Sequence, residues 1–158
     1  MNLKTQAAAA LGQLAGAPLP QTISVQDGQR RLACAVTALD SLGCSFASLV
    51  LATDGLASAT PERLRRIADD LSRRVNYLLE PIAPIEIDAE QCLVQMRSSP
   101  PQKSEGQSTY YELLVRRGGD LSLRRYAKQG TGQRAAVPAT VTCEVLLRLV
   151  ADFEAAAP

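Results

Sequence analysis

One stretch of the sequence decides the fold: TPERLRRIADDLSRRVNYLL, residues 60–79. Its apolar residues recur at intervals of three and four, which predicts a helix with one apolar stripe wide enough to lie on a sheet. Thr60 is a suitable N-cap, and Pro61 suits the first helical position. We expect the helix to continue to about residue 80, where Pro81 and Pro84 end it. The stripe consists of Leu64, Ile67, Ala68, Leu71, Val75, Leu78 and Leu79.

Extended segments are predicted on both sides of this helix. Residues 22–25 alternate polar and apolar side chains, and Asp27-Gly28 is a hairpin signal whose two-residue turn would place Ile23 opposite Leu32. Leu39–Gly43 is predicted as the turn into a nearly continuous apolar strand. The strands predicted in addition to residues 22–25 cover 31–37, 46–51, 85–88, 92–96, 110–117 and 121–126.

The register of the hairpin at 110–126 stays open between two alternatives. A two-residue turn at Gly118-Gly119 pairs Leu114 with Leu123 and Glu112 with Arg125. A three-residue turn instead places four apolar side chains on one face: Leu113, Val115, Leu121 and Leu123.

Two further helices are predicted near the ends of the chain. An apolar stripe over residues 3–14 ends at Gly16 and Pro18, and we interpret residues 1–17 as this short helix rather than as a cleaved signal segment. A last helix is expected to start near Pro138 or Thr140, and the final residues are expected to fray.

These elements predict a single α+β domain over residues 1–158, with a mainly antiparallel sheet. The order is helix, three strands, helix, about four strands, helix. Residues 98–107 are rich in Pro, Gly and Ser, and we expect them to form a mobile surface loop.

The predicted order of helices and strands resembles that of small chaperone-like and adaptor domains, including type III secretion chaperones. The resemblance implies binding of an extended peptide on the sheet. Those chaperones are usually acidic, whereas this chain is not.

The composition excludes several kinds of chemistry. There is no histidine, which excludes Ser-His-Asp and Cys-His catalysis and imidazole-bound zinc. The four cysteines form no C-x-x-C pair, so we predict reduced, unreactive thiols and no metal or cofactor. No apolar run approaches the roughly 20 residues of a membrane span. We therefore expect a cytoplasmic protein that does not bind a membrane.

Charge is unevenly distributed although the net charge is only +1. The predicted hairpin and the loop after it are basic, and tyrosines lie among the basic residues, as in surfaces that stack single-stranded bases. Protection of an edge strand by charge is the alternative explanation. Glu86, Asp88 and Glu90 could share one face of a strand, and we interpret them as solvent-facing rather than as ligands of a divalent cation. The candidate residues for binding an anion or a nucleic acid are those of the basic hairpin and the loop after it: Arg116, Arg117, Arg124, Arg125, Lys128, Arg134, Tyr110 and Tyr126.

With no catalytic constellation, the sequence favours a non-catalytic interaction domain. We expect it to bind another protein or peptide through a sheet edge or a helix face, in the manner of a chaperone or adaptor, and to form a homodimer. The alternative is binding of RNA or another single-stranded nucleic acid through the cationic hairpin and loop at 116–134. An enzyme ranks below both.

Overall fold

Three helices pack on one ten-stranded antiparallel sheet in the computed structural model, which describes residues 1–158. The helices and alternate strand residues share one contiguous apolar core. The helices are α1 (Leu3–Leu14), α2 (Pro61–Arg74) and α3 (Cys143–Ala156), and a short 3-10 turn covers Asp54–Leu56. The strands are β1 (Gln21–Asp27), β2 (Arg30–Leu39), β3 (Gly43–Thr53), β4 (Ile82–Asp88), β5 (Leu93–Ser98), β6 (Gln102–Ser104), β7 (Gln107–Arg116), β8 (Asp120–Gln129), β9 (Arg134–Val137) and β10 (Ala139–Thr142).

The strand order is β1-β2-β3-β8-β7-β5-β4, with the short strands β6, β9 and β10 attached to β7, β8 and β3. This confirms the predicted fold class and element order. Between α2 and α3 lie the four longer strands that the sequence predicted, and three strands of three or four residues that it did not. No helix is long and apolar enough to cross a membrane.

Helix α2 is shorter than predicted. It ends at Arg74 rather than near residue 80, and the Asn76 amide donates a hydrogen bond to the Arg73 carbonyl at 3.2 Å. That bond satisfies one of the carbonyls that a helix C-terminus leaves free. The part of the predicted stripe that lies on the helix is buried, from Leu64 to Leu71. Its last three residues lie beyond the helix: Val75 is buried, Leu78 is half-buried, and Leu79 is 68% exposed.

The first hairpin has a different register from the predicted one. Asp27 pairs with Arg30, so the turn consists of Gly28-Gln29, and Ile23 lies opposite Cys34 rather than Leu32. Gly28 has φ +60 and is the only residue of this turn with a positive φ. Glycine at the first central position is typical of a type II′ turn. The shift is two residues, so the same side chains still face the core.

The second hairpin has the three-residue turn. Leu113 pairs with Leu123 and Val115 with Leu121, which places all four side chains in the core. Gly118 in the turn has φ +69, and its amide donates to the Leu56 carbonyl at 2.7 Å. The 3-10 turn therefore helps to fix this register.

Helix α3 begins later than predicted. Thr140 and its neighbours form β10, which pairs with the first residues of β3, and α3 starts at Cys143 after the N-cap Thr142. Strand β9 pairs with the end of β8 in the same region. Both short strands occupy the space where β3 and β8, paired only between 49–52 and 120–123, separate from each other. Local sequence predicts the helix but not a pairing with an edge created by distant strands.

The segment at 98–107 is not a structureless loop. Strand β6 pairs Gln102–Ser104 with Gln107–Thr109, although its side chains are exposed, and Ser98 at its start is buried. Whether the segment is mobile stays a prediction.

The C-terminus was expected to fray, but the structure ties it to the sheet. The Pro158 carbonyl accepts a hydrogen bond from Thr53 Oγ1 at 2.9 Å.

All four cysteines are free, as predicted. Three of them are buried, and Cys143 is partly exposed at the start of α3. Burial raises the pKa of the Cys34 thiol to about 12 and that of Cys44 to about 11. Both thiols are therefore protonated at neutral pH.

Candidate functional site

The predicted basic residues do not form one surface. Arg116 and Arg117 are exposed at the turn of the β7–β8 hairpin. The Arg116 guanidinium donates to both oxygens of Asp120, with Nε and Nη2 each at 2.8 Å. Because Asp120 neutralises Arg116, this ion pair offers little net positive charge to an anionic ligand.

Arg125 lies in the core and not on the surface, which corrects its place among the candidate binding residues. It is 7% exposed, because it follows Leu121 and Leu123 in the alternation along β8 and therefore lies on the same sheet face. Its Nη1 lies 3.3 Å from Glu80 Oε1, its Nη2 donates to Thr109 Oγ1 at 2.9 Å, and its guanidinium stacks 4.5 Å from the Tyr111 ring centroid.

Glu80 comes from the connection between α2 and β4 and completes this buried cluster. It is 2% exposed, and its Oε1 also accepts a hydrogen bond from Ser98 Oγ at 2.6 Å. Ser98 Oγ in turn accepts from the Tyr111 amide at 2.7 Å. The cluster therefore ties the start of β4 to β5, β7 and β8, and its role is structural.

The remaining predicted residues lie on the outer face of the sheet, opposite the helices. The rings of Tyr110 and Tyr126 lie side by side, with centroids 6.1 Å apart. The Arg134 guanidinium lies 3.9 Å from the Tyr126 centroid, and that of Arg97 lies 4.6 Å from the Tyr110 centroid. Tyr110 is only 6% exposed. These guanidinium groups cover ring surface that the stacking prediction needs.

A depression of about 510 Å³ opens beside these rings. Arg134 on its rim forms an ion pair with the buried carboxylate of Glu112, whose Oε2 also accepts from the Gln95 amide at 2.9 Å. The hydrogen bond that Arg134 donates to Glu112 raises the pKa of Arg134 above its usual value. The lining consists of Gln95, Arg97, Tyr110, Lys128, Gly132, Gln133 and Arg134.

The sequence did not indicate Arg97 as a site residue. It lies on β5, outside the basic hairpin, and its position opposite Glu112 depends on the pairing of β5 with β7. The alternation of Val94, Gln95, Met96 and Arg97 does indicate that Gln95 and Arg97 share the solvent-facing side of a strand. That signal could have placed Arg97 on the outer face, but not beside Tyr110.

Strand β4 forms a second candidate surface, at the edge of the sheet. It pairs only with β5, and a bulge interrupts the pairing between Pro84 and Glu86. Ile85 in the bulge is 54% exposed and Ile87 is 39% exposed. With Leu79, they make up three of the five exposed large apolar side chains of the chain.

The edge of β4 is acidic. Glu86, Asp88 and Glu90 form no ion pair. Residues 75–96 contain no lysine or arginine. The three carboxylates are not grouped into a cluster that could hold a metal ion. Glu86 and Asp88 alternate along β4 and share one face of it, as the sequence predicted, whereas Glu90 lies in the turn after the strand. No protein-family model, curated protein or solved structure matches this chain.

Proposed function

We propose that the protein is a non-catalytic interaction domain that binds an extended segment of a partner protein along the free edge of β4. An edge strand presents a row of unpaired backbone amides and carbonyls, and an added strand is the ordinary way to satisfy them. The single observation that carries the proposal is that this edge combines open backbone with exposed Ile85 and Ile87.

Charge defines the occupant. Glu86 and Asp88 on the edge, with Glu90 in the turn after it, supply three carboxylates without a basic neighbour in the surrounding sequence. Opposite charges on paired strands contribute roughly 0.2–1 kcal/mol each, and like charges oppose pairing. The segment that fits is therefore one with alternating apolar and basic side chains.

A second copy of the chain fits this edge less well. Antiparallel pairing of β4 with itself would bring the carboxylates Glu86 and Asp88 of both copies onto one short ladder. Pro84 lacks an amide hydrogen, and both proline and a bulge hinder edge-to-edge association. The carboxylates that would repel a second copy attract a partner of opposite charge at residues 85–88. The homodimer expected from the sequence stays a prediction for other surfaces.

Binding of a single-stranded nucleic acid is the alternative. It draws support from Lys128 and Arg134, which remain on the outer face. The burial of Arg125, the Arg116–Asp120 pair and the guanidinium groups on both tyrosine rings all weaken it.

The test is a binding measurement with designed peptides by fluorescence anisotropy. A labelled ten-residue peptide of alternating valine and lysine is compared with one in which glutamate replaces lysine. A third peptide has the lysine sequence with N-methylated backbone amides, which cannot form a ladder. We expect the lysine peptide alone to bind and to shift the amide resonances of β4 and β5.

The matched variants reverse charge at the edge and away from it. Replacement of Glu86→Lys together with Asp88→Lys should weaken binding of the lysine peptide about fourfold or more, because two attractive pairs become repulsive. The same variant should bind the glutamate peptide. Glu105→Lys, in the turn after β6 and roughly 23 Å away along β7, should change neither result. Equal binding of the N-methylated peptide would exclude strand pairing. Salt-dependent binding of single-stranded RNA, with no peptide binding, would establish the alternative instead.

A further inference from the structure

The depression on the outer sheet face carries more positive than negative charge. Arg97, Lys128 and Arg134 line it, no acidic residue does, and the carboxylate of Glu112 is already bonded to Arg134. Arg97 and Lys128 belong to no ion pair in the protein. Two cations at one concave site are therefore uncompensated.

Arg97 is held in place but has no acceptor. Its guanidinium lies against the Tyr110 ring, and its Nε is buried without a hydrogen-bond partner in the protein. An arginine fixed by stacking loses little side-chain entropy when it binds, and its planar fork matches two oxygens of a phosphate or carboxylate. The Arg97 guanidinium is therefore already positioned to bind an oxyanion.

We propose that this depression binds a phosphate monoester, with Arg97 as the bidentate partner of the phosphoryl oxygens and Lys128 as the second cation. A monoester carries about −1.5 to −2 charges at pH 7, which matches two uncompensated cations. A carboxylate and a phosphodiester each carry one. The volume of about 510 Å³ leaves room for the group esterified to the phosphate, and the amides of Gln95 and Gln133 line the same space.

The proposal does not depend on a partner at β4. The ester can belong to a small molecule or to a phosphorylated side chain of a protein, and the chemistry at Arg97 is the same. A nucleic-acid chain offers phosphodiesters instead and would be recognised by a longer basic surface. The test therefore separates these sources.

Isothermal titration at constant ionic strength measures the affinity for phenyl phosphate. Benzoate is the matched probe, with the same ring and a single charge. A tyrosine-phosphorylated peptide and single-stranded RNA are titrated in parallel. We expect phenyl phosphate to bind at least tenfold more tightly than benzoate. Tighter binding of the phosphopeptide would identify a protein ligand, and equal or weaker binding would identify a small molecule.

Four variants locate the site. Arg97→Gln and Lys128→Gln should each weaken phenyl phosphate binding about tenfold or more. Arg97→Lys keeps the charge but loses the fork, so it should fall between Arg97→Gln and the unchanged protein. Arg117→Gln removes an exposed charge at the hairpin turn, outside the depression, and should leave the affinity unchanged. Far-UV circular dichroism confirms that each variant is folded.

Three results would overturn the proposal. One is equal affinity for benzoate and phenyl phosphate, and another is a loss in Arg117→Gln as large as that in Arg97→Gln. The third is binding of RNA alone, without measurable binding of either phosphate monoester.

Discussion

Replacement of Arg125 tests the buried ion pair that joins the α2–β4 connection to the sheet. Arg125→Met leaves the Glu80 carboxylate 2% exposed, with Ser98 Oγ as its one remaining side-chain donor. The second carboxylate oxygen of Glu80 is buried and has no partner even in the intact protein. Removal of one member of a buried pair costs about 3–5 kcal/mol, because the other charge remains in the core without compensation.

This cost is large enough to measure. A chain of this size loses about 2–4 °C of melting temperature per kcal/mol, so Arg125→Met should melt roughly 6–20 °C lower. The double variant Glu80→Gln with Arg125→Met removes both charges, while the amide oxygen of the introduced glutamine can still accept from Ser98. Replacing a whole buried pair is often close to neutral, so the double variant should recover most of the lost stability.

Urea unfolding followed by far-UV circular dichroism gives the free energy of unfolding of the two single variants, the double variant and the unchanged protein. Arg117→Met is the matched control, since Arg117 is exposed and outside any ion pair, and it should shift the free energy by no more than about 0.5 kcal/mol. If Arg125→Met costs no more than this control, the buried pair does not hold the fold. If the double variant loses the sum of the two single losses, Glu80 and Arg125 are not coupled.

Three further predictions concern the packing of the core and the thiols. Leu71→Ala should lower the free energy of unfolding, measured in urea, by about 2–5 kcal/mol. The control Leu79→Ala, on the exposed connection after α2, should change it by no more than about 0.5 kcal/mol. A loss at Leu71 as small as that of the control would refute tight packing under α2. Native thiol titration should modify Cys143 first and reach Cys34 and Cys44 only in denaturant. Because burial raises the pKa of Cys34 to about 12, the unfolded thiol ionises at lower pH, and stability should fall between about pH 9 and 12, less steeply in Cys34→Ala.

The helices were the most predictable part of the fold, since each depends on residues within a few turns. Leu64 and Leu71 repeat at helical spacing, and Thr60 caps the helix as its side chain type suggests. The strand registers were less predictable because they depend on the conformation of a turn. The prediction placed the first turn at residues 27–28, whereas the structure has it at 28–29, and this change of one position shifts the pairing by two residues. The short strand β10 depends on an edge that exists only after β3 and β8 have separated.

The candidate site was predicted only in part for the same reason. Local sequence identified a basic hairpin, but the cross-strand partner of each arginine follows from the register that the turn at Gly118 sets. Arg125 is the third member of an alternation that begins with Leu121, which places it in the core. The carboxylate that compensates it belongs to Glu80, 45 residues earlier in the chain. Arg97 became part of the site through the pairing of β5 with β7.

The buried cluster also bears on the proposed binding edge. Glu80 lies two residues before β4, Ile82 at the start of the strand is buried, and Ser72 Oγ on α2 donates to the Ile82 carbonyl at 2.6 Å. These contacts fix the beginning of β4 to α2 and to the sheet. The rest of the strand is paired on one side only. A strand held in its extended conformation before a partner arrives has little conformational entropy left to lose on binding. The polar cluster holds the proposed binding edge in its extended conformation, so we expect Arg125→Met to weaken binding of the lysine peptide in the anisotropy assay as well as to lower stability.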